Sequence, residues 1–593
     1  MTSPKRSIPS IEGTSNRRQF VQQATVTGIS AGAAAMIARS VVAQDATPEA
    51  TPAGEMIPSV TRDQFLSSLK QKYPIEPATS AGGQVFFAST ADIASTHPHV
   101  YGDVASTWVV GPMFSTLVGG SPVDGTIVPD LADSWDTAAD GLTYTFYLNR
   151  NATFHDGTPV TTADVVFSFD SILNELSPSL SRGGVIQLLK SYRAIDDHTF
   201  EITALSASSL FLSKVPAAVA IVPKHIWEAI PVENWGESPG STGEDPAMVI
   251  GSGAFKFVER VGSDHITIAR NDKYFVPELI PTIDTFTLRV IPEAASTIQA
   301  LQTGEIDITL VPTAQADSLQ TSNPDLVINV SDTWGFTYLI PNLHPEKGTF
   351  FKDLATRQAL YYALDREALL DAILFGYGVI ANGPQPPLSP AYAPDKLTTH
   401  FSYDPEKAKS LLEEAGWVDS DGDGVRERDG VVFAIRLVFY DLDRATTQAL
   451  TYVQQALGEV GIQVEVVPVK DAIVDAFTNA DFDLSYTTIF WTADGDQGAI
   501  FRCDAAFPDG FNLSFWCNPE YDALDDQQLV ELDRPTRIEI LEQMSDIVNE
   551  DVPYVILYYP QEIAGSSARL RNFYPNGYSL LWSLNFVWID ESA

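Results

Sequence analysis

Residues 419–430 read DSDGDGVRERDG, and their spacing could do cation chemistry. Asp419, Asp421 and Asp423 stand at alternate positions with Gly424 sixth, the opening of the twelve-residue loop that surrounds calcium with oxygens. Position twelve should be a bidentate Glu and is Gly430, with Glu427 and Asp429 as weaker substitutes. The three aspartates are therefore a calcium candidate. An exposed turn is the favoured reading, because the Asp-Gly pairs at 421–422 and 423–424 suit a tight turn. The residues that follow alternate as a strand, which excludes a two-helix calcium hand.

Other reactive constellations are missing. GISAG at 28–32 matches a nucleophile elbow but sits inside the N-terminal run read below as an export signal, with which it would be removed. No Gly-rich loop ends in Gly-Lys-Ser or Gly-Lys-Thr, so ATP hydrolysis by the usual phosphate loop is not expected. Of eight histidines only His97 and His99 are close in sequence, around Pro98, with no further ligand cluster beside them. The chain is thus expected to be no enzyme and to carry no cofactor or resident metal.

The chain has 593 residues, 45% of them hydrophobic, enough for two or three cores. Its 36 Lys and Arg against 77 Asp and Glu give a net charge of −41, which argues against nucleic acid or an anionic membrane as partner. At the N-terminus, Arg17 and Arg18 precede a weakly apolar, Ala- and Gly-rich run ending near Val41-Val42-Ala43. This is similar to a twin-arginine export signal over 1–43, with a retained anchor as the alternative; an Ala/Thr/Pro-rich flexible leader follows at 44–59. Export would place Cys503 and Cys517 in an oxidising compartment, where an intramolecular disulfide is the natural reading and two buried thiols the alternative.

The elements that must position any site show as periodicity. Residues 84–88 read as a strand, and 143–148 alternate as a strand in a hairpin-like stretch that turns at Asp156-Gly157. A helix is predicted over 161–173, with Thr161 as cap and Asp164 three residues on. Segments 283–291, 294–303 and 306–311 make a strand, a helix closed by Gly304 and a strand, a βαβ unit. Asp353 opens an amphipathic helix running to Leu374, and Asp404-Pro405 opens another that Gly416 closes. Strands at 432–439, 462–466 and 482–491 alternate with helices at 444–457 and 472–477. This region is α/β, and its ligands are expected beyond the carboxyl ends of the strands.

Several stretches, in order and at consistent spacing, carry a resemblance. They are Leu131-Ala-Asp-Ser-Trp135, Asp140-Gly-Leu-Thr-Tyr-Thr-Phe146, Phe154-His-Asp-Gly-Thr-Pro-Val160 and Ala163-Asp-Val-Val-Phe167. Gly251-Ser-Gly-Ala-Phe255, residues 300–307, Arg357-Gln-Ala-Leu-Tyr-Tyr-Ala-Leu-Asp365 and residues 415–424 support them. Together they resemble the extracytoplasmic solute-binding proteins of ABC transporters, dipeptide/oligopeptide-binding family 5.

The resemblance implies an α/β, two-lobed periplasmic-binding-protein fold with hinge strands and a subdomain inserted in the first lobe. Lobe I would take 60–105, 250–328 and 560–593, the insert 106–249, and lobe II 329–559. It further implies a monomer that captures a small peptide between closing lobes and delivers it to a membrane permease with separate ATPase subunits. Alternative cargoes are a sugar, an opine-like compound or a nickel complex; a peptide-holding chaperone and an exported hydrolase are the other readings. The strand ending at Trp491 would project Asp494 at its carboxyl edge, and in peptide-binding relatives the Asp of the matching Trp-x-x-Asp segment receives the peptide's α-amino group. Trp491, Thr492, Ala493 and Asp494 are thus candidate ligand residues, with Asp496 as a register alternative because Gly495-Asp-Gln-Gly498 replaces the usual Asp-Pro. Trp334 and Tyr338 could pack on a ligand or be core aromatics. Cys503 and Cys517 resemble the disulfide-closed loop that follows the ligand strand in some dipeptide binders.

Overall fold

The computed structural model describes residues 57–439, 444–469, 473–491 and 494–592, together with Arg6 and Ser7. The expected export signal and leader lie almost wholly outside these residues. The described chain forms two compact units, one holding 57–331 and 563–592 and the other 332–562. Among the described residues no helix is long and apolar enough to cross a membrane.

In the first unit a mixed sheet runs in the order Phe255–Val261, His265–Arg270, Thr285–Val290, Gln84–Ser89, Ile308–Leu310 and then the last part of Val555–Ser567. Thr285–Val290 and Ile308–Leu310 flank Gln84–Ser89 and both run parallel to it, joined by helix Ala294–Gln302. This is the βαβ unit expected from the sequence. Its alternating residues Val85, Phe87, Phe286, Leu288 and Ile308 face one core. A separate antiparallel sheet contains the hairpin Ala132–Thr137 and Thr143–Leu148, followed by Thr199–Ala204 and Leu189–Asp196. Helix Thr162–Leu173 packs Val165, Phe169 and Ile172 into the core of that sheet. Its start is fixed as the sequence suggests: the Asp164 carboxylate accepts from the Thr161 amide at 3.0 Å.

The second unit orders its sheet as the first part of Val555–Ser567, Gly335–Pro341, Leu484–Phe490, Ala434–Phe439 and Gln463–Pro468. Ala434–Phe439 is parallel to both neighbours, whereas Gly335–Pro341 is antiparallel to Leu484–Phe490. Being covered on both faces, these strands carry apolar residues in succession rather than in strict alternation. Leu339, Leu437 and Leu484 pack on one side, and Phe336, Tyr338 and Ile489 on the other.

One expectation is corrected. The single helix from Asp353 to Leu374 is two, Leu354–Ala363 and Arg366–Leu374. Leu364 turns extended, and the Asp365 carboxylate accepts from the Ala368 amide at 2.9 Å, starting a new helix in place of continuing the old one. The guanidinium of Arg366 then reaches the carbonyls of Ala381, Phe401 and Ile556, which a continuous helix would have to abandon.

Candidate functional site

The stretches that carry the resemblance are mostly scaffold. His155 and the glycines of Gly251-Ser-Gly253 lock two of them together. The His155 amide donates to the Gly251 carbonyl at 2.9 Å, its Nδ1 accepts from the Gly251 amide at 3.1 Å, and its Nε2–H donates to the Gly253 carbonyl at 3.1 Å. A Cβ at Gly251 or Gly253 would collide with the backbone of Pro112 and Met113, so only glycine fits. Asp307 is likewise structural, with its carboxylate bonded to the Phe86 amide at 2.9 Å and to Arg569 at 2.7 Å.

The candidate ligand turn follows strand Leu484–Phe490 in the second unit. Trp491 extends that strand by one bond, its amide donating to the Trp334 carbonyl at 3.1 Å, so the ladder brings the two tryptophans side by side. Trp491 is half-buried and Trp334 buried. The Trp491 indole N–H donates to the Asp496 carbonyl. Thr492 and Ala493 lie outside the described residues.

Asp494 is half-buried and its Oδ1 accepts from the Asp496 amide at 3.0 Å, while Gly495 takes the left-handed conformation (φ 80°) that the reversal needs. Asp496 differs. Only 7% exposed, it accepts from Gln528 Nε2 at 3.0 Å and the Gly498 amide at 3.3 Å. Asp496 is thereby held by groups of the protein itself.

Sequence reasoning missed the residues that hold this turn. Gln385 Nε2 donates to the Gly495 carbonyl at 2.9 Å, and Gln497 Nε2 to the Pro384 carbonyl at 2.7 Å. Gln385 is remote in sequence from the turn and Gln497 adjoins it, and neither neutral amide belongs to a motif or a periodic face that would have marked it. Tyr338 is not at the turn. It is 1% exposed, with its ring centroid 5.0 Å from Phe336 and 4.7 Å from Tyr554, and offers no surface to a solute in this conformation.

Cys503 and Cys517 form a disulfide just beyond the turn. The neighbouring Arg502 pairs with Asp504 at 2.9 Å, Asp525 at 3.1 Å and Asp526 at 2.6 Å. Burial opposes its charge, but these carboxylates hold the guanidinium protonated above its ordinary range.

At the acidic loop, Asp419, Asp421 and Asp423 are all exposed and each offers an oxygen within 4.8 Å of the others. Those carboxylates serve the turn itself: Asp419 accepts from the amides of Gly422 at 2.7 Å and Gly424 at 3.1 Å, and Asp423 from that of Val425 at 2.8 Å. A bridge between Val418 and Glu427 closes the loop. His97 and His99 are buried against aromatic rings, His97 with its centroid 4.2 Å from that of Trp227 and 4.7 Å from that of Trp235.

Comparison with known proteins fits this arrangement. The family profile of bacterial extracellular solute-binding proteins, family 5 Middle, matches residues 126–504. The oligopeptide-binding protein AppA of Bacillus subtilis is 31% identical over 464 residues, spanning 78% of this chain and 83% of its own. The glutathione-binding protein GsiB of Pectobacterium atrosepticum is 27% identical over 509 residues, 83% of this chain and 92% of its own. Among solved structures, AppA from Bacillus subtilis in complex with a nonapeptide superposes with a TM-score of 0.68 at 29% identity, covering 86% of this chain and 100% of that one. The ABC transporter substrate-binding protein CtaP from Listeria monocytogenes gives a TM-score of 0.74 at 26% identity, covering 86% and 100%. With the two-unit α/β architecture and a profile match over most of its length, this chain belongs to the bacterial extracellular solute-binding proteins, family 5.

Proposed function

We propose that this protein is the substrate-binding component of an ABC transporter, that its cargo is a peptide, and that it acts outside the cytoplasmic membrane after export by the twin-arginine route. It would hold the peptide and hand it, unaltered, to a membrane permease powered by separate ATPase subunits. The observation that carries the peptide reading is Asp494. Its half-buried carboxylate stands on the turn at the carboxyl end of a sheet strand, oriented by the Asp496 amide. A desolvated ammonium needs such an anionic partner, and a free peptide always brings one. The relatives named for oligopeptide and glutathione support the same class.

The test is mass spectrometry of whatever elutes on denaturing the protein purified natively from its own cells. Intact peptides with free amino termini are expected. A sugar or a metal complex would overturn the cargo, and cleaved products generated during incubation would overturn the purely binding role.

A further inference from the structure

Behind the Asp494 turn lies a chain of buried polar groups that ordinary packing does not require. Gln528 is 0% exposed, and its Nε2 donates both to Asp496 Oδ1 and to Asp525 Oδ1, each at 3.0 Å. Its Oε1 accepts from Arg537 Nε at 2.9 Å. Asp525 is fully buried and pairs with Arg502 at 3.1 Å. One neutral amide thus stands between two buried carboxylates and fixes both, which a carboxylate or an apolar side chain at that position could not do. The far end of this chain is the turn: Asp496 takes its orientation from Gln528, and the Asp496 amide in turn donates to Asp494 Oδ1 at 3.0 Å.

We propose that Gln528 is a positioning residue for recognition of the peptide's ammonium group, acting through Asp496 on the carboxylate of Asp494. This rests on the reading of Asp494 as the ammonium's partner. An ion pair depends steeply on distance and desolvation, and Asp494 has a short side chain on a turn, so its carboxylate is placed only as well as the turn is. Gln528 fixes that turn from the helix Pro519–Val530, and its influence is confined to ligands that carry the charge. A peptide lacking a free amine takes nothing from this placement.

The experiment uses a tryptic digest, half of it N-acetylated, as the probe. Native protein, Gln528→Met, Asp494→Asn and the double variant are each equilibrated with the mixture, and the retained free and acetylated forms are counted by mass spectrometry. Native protein is expected to retain free-amine peptides in excess. Gln528→Met should reduce that excess about tenfold, and in the Asp494→Asn background the same substitution should change it no further, the non-additivity of residues acting on one contact. Should Gln528→Met fail to fold, Asp496→Ala removes the acceptor through which Gln528 acts and keeps the backbone amide that donates to Asp494, so the same loss is expected. Equal loss of both peptide forms, or no change in either variant, would overturn the positioning role. Native protein that retains both forms equally, or neither, instead overturns the Asp494 reading on which the proposal stands.

Discussion

Three carboxylates in this chain look alike in sequence and differ in what surrounds them. Asp494 stands half-buried at a turn, Asp496 is enclosed by Gln528 and the Gly498 amide, and Asp419 holds its own loop through the amides of Gly422 and Gly424. The calcium-like spacing of 419–430 is explained by the last of these, because alternating aspartates each accept from an amide two or more residues on, and that closes a turn without a cation. A chelator is therefore expected to leave the melting temperature of the protein unchanged. A drop on chelation that Asp421→Ala abolishes would establish a structural cation there.

Elements were legible wherever one period ran unbroken. The strand at 84–88, the capped helix at 161–173 and the βαβ stretch at 284–311 appear within a residue or two of their expected positions. The helix break at Leu364 was not legible, because the apolar spacing continues across it and only the competition of Asp365 for the Ala368 amide ends the first helix. The turn's glutamine supports were hidden for a related reason: long-range polar contacts leave no periodic trace. Arg357 shows how a recognisable motif serves an element rather than a ligand. Its guanidinium donates to the carbonyls of Phe351, Lys352, Asp551 and Val552, so that it caps the carboxyl end of helix Arg534–Asp551, where a cation is favoured by the helix dipole. Arg357→Met should destabilise the second unit by about 2–4 kcal/mol, by analogy with other broken buried networks. Denaturant unfolding checks this, and the preference for free-amine peptide should persist in the folded variant.

At the scale of the molecule, the acid response should belong to the first unit. His155 is held neutral by burial, its pKa pushed down to about 4, and its Nδ1 must stay unprotonated to accept from Gly251. Burial likewise brings His99 down to about 4, and burial together with the adjacent His99 ring holds His97 well below the usual range. Unfolded histidine binds a proton near pH 6.5 and the folded form does not, so this stability is fully present above that pH and is lost as pH falls towards 4. Each of His99 and His155 contributes on the order of 3 kcal/mol to the effect. Buried Asp130, its pKa raised to about 6, works in the opposite sense, since its folded form keeps a proton that the unfolded form releases above about pH 4. Partial burial opposes the charge of His265, but Asp264 and Glu259 raise its pKa, so it too gains on acidification; it is a surface pair screened by solvent, and the three buried imidazoles leave a net loss. Hydrogen-exchange protection factors, corrected for the intrinsic pH dependence of amide exchange, should therefore fall between pH 7 and pH 5 in strand Gln84–Ser89 more than in strand Gly335–Pro341, and an equal fall in both would contradict it. Peptide at 100 times its dissociation constant should raise overall stability by about 2.7 kcal/mol if it binds only folded protein. The central claim, a protein that takes peptides by their free amine at Asp494, is tested most directly by calorimetric titration of native protein and Asp494→Asn with one copurifying peptide in free and N-acetylated form. The account predicts that Asp494→Asn loses roughly 2–5 kcal/mol of affinity for the free peptide and little for the acetylated one; unchanged affinity of Asp494→Asn for the free peptide would contradict it.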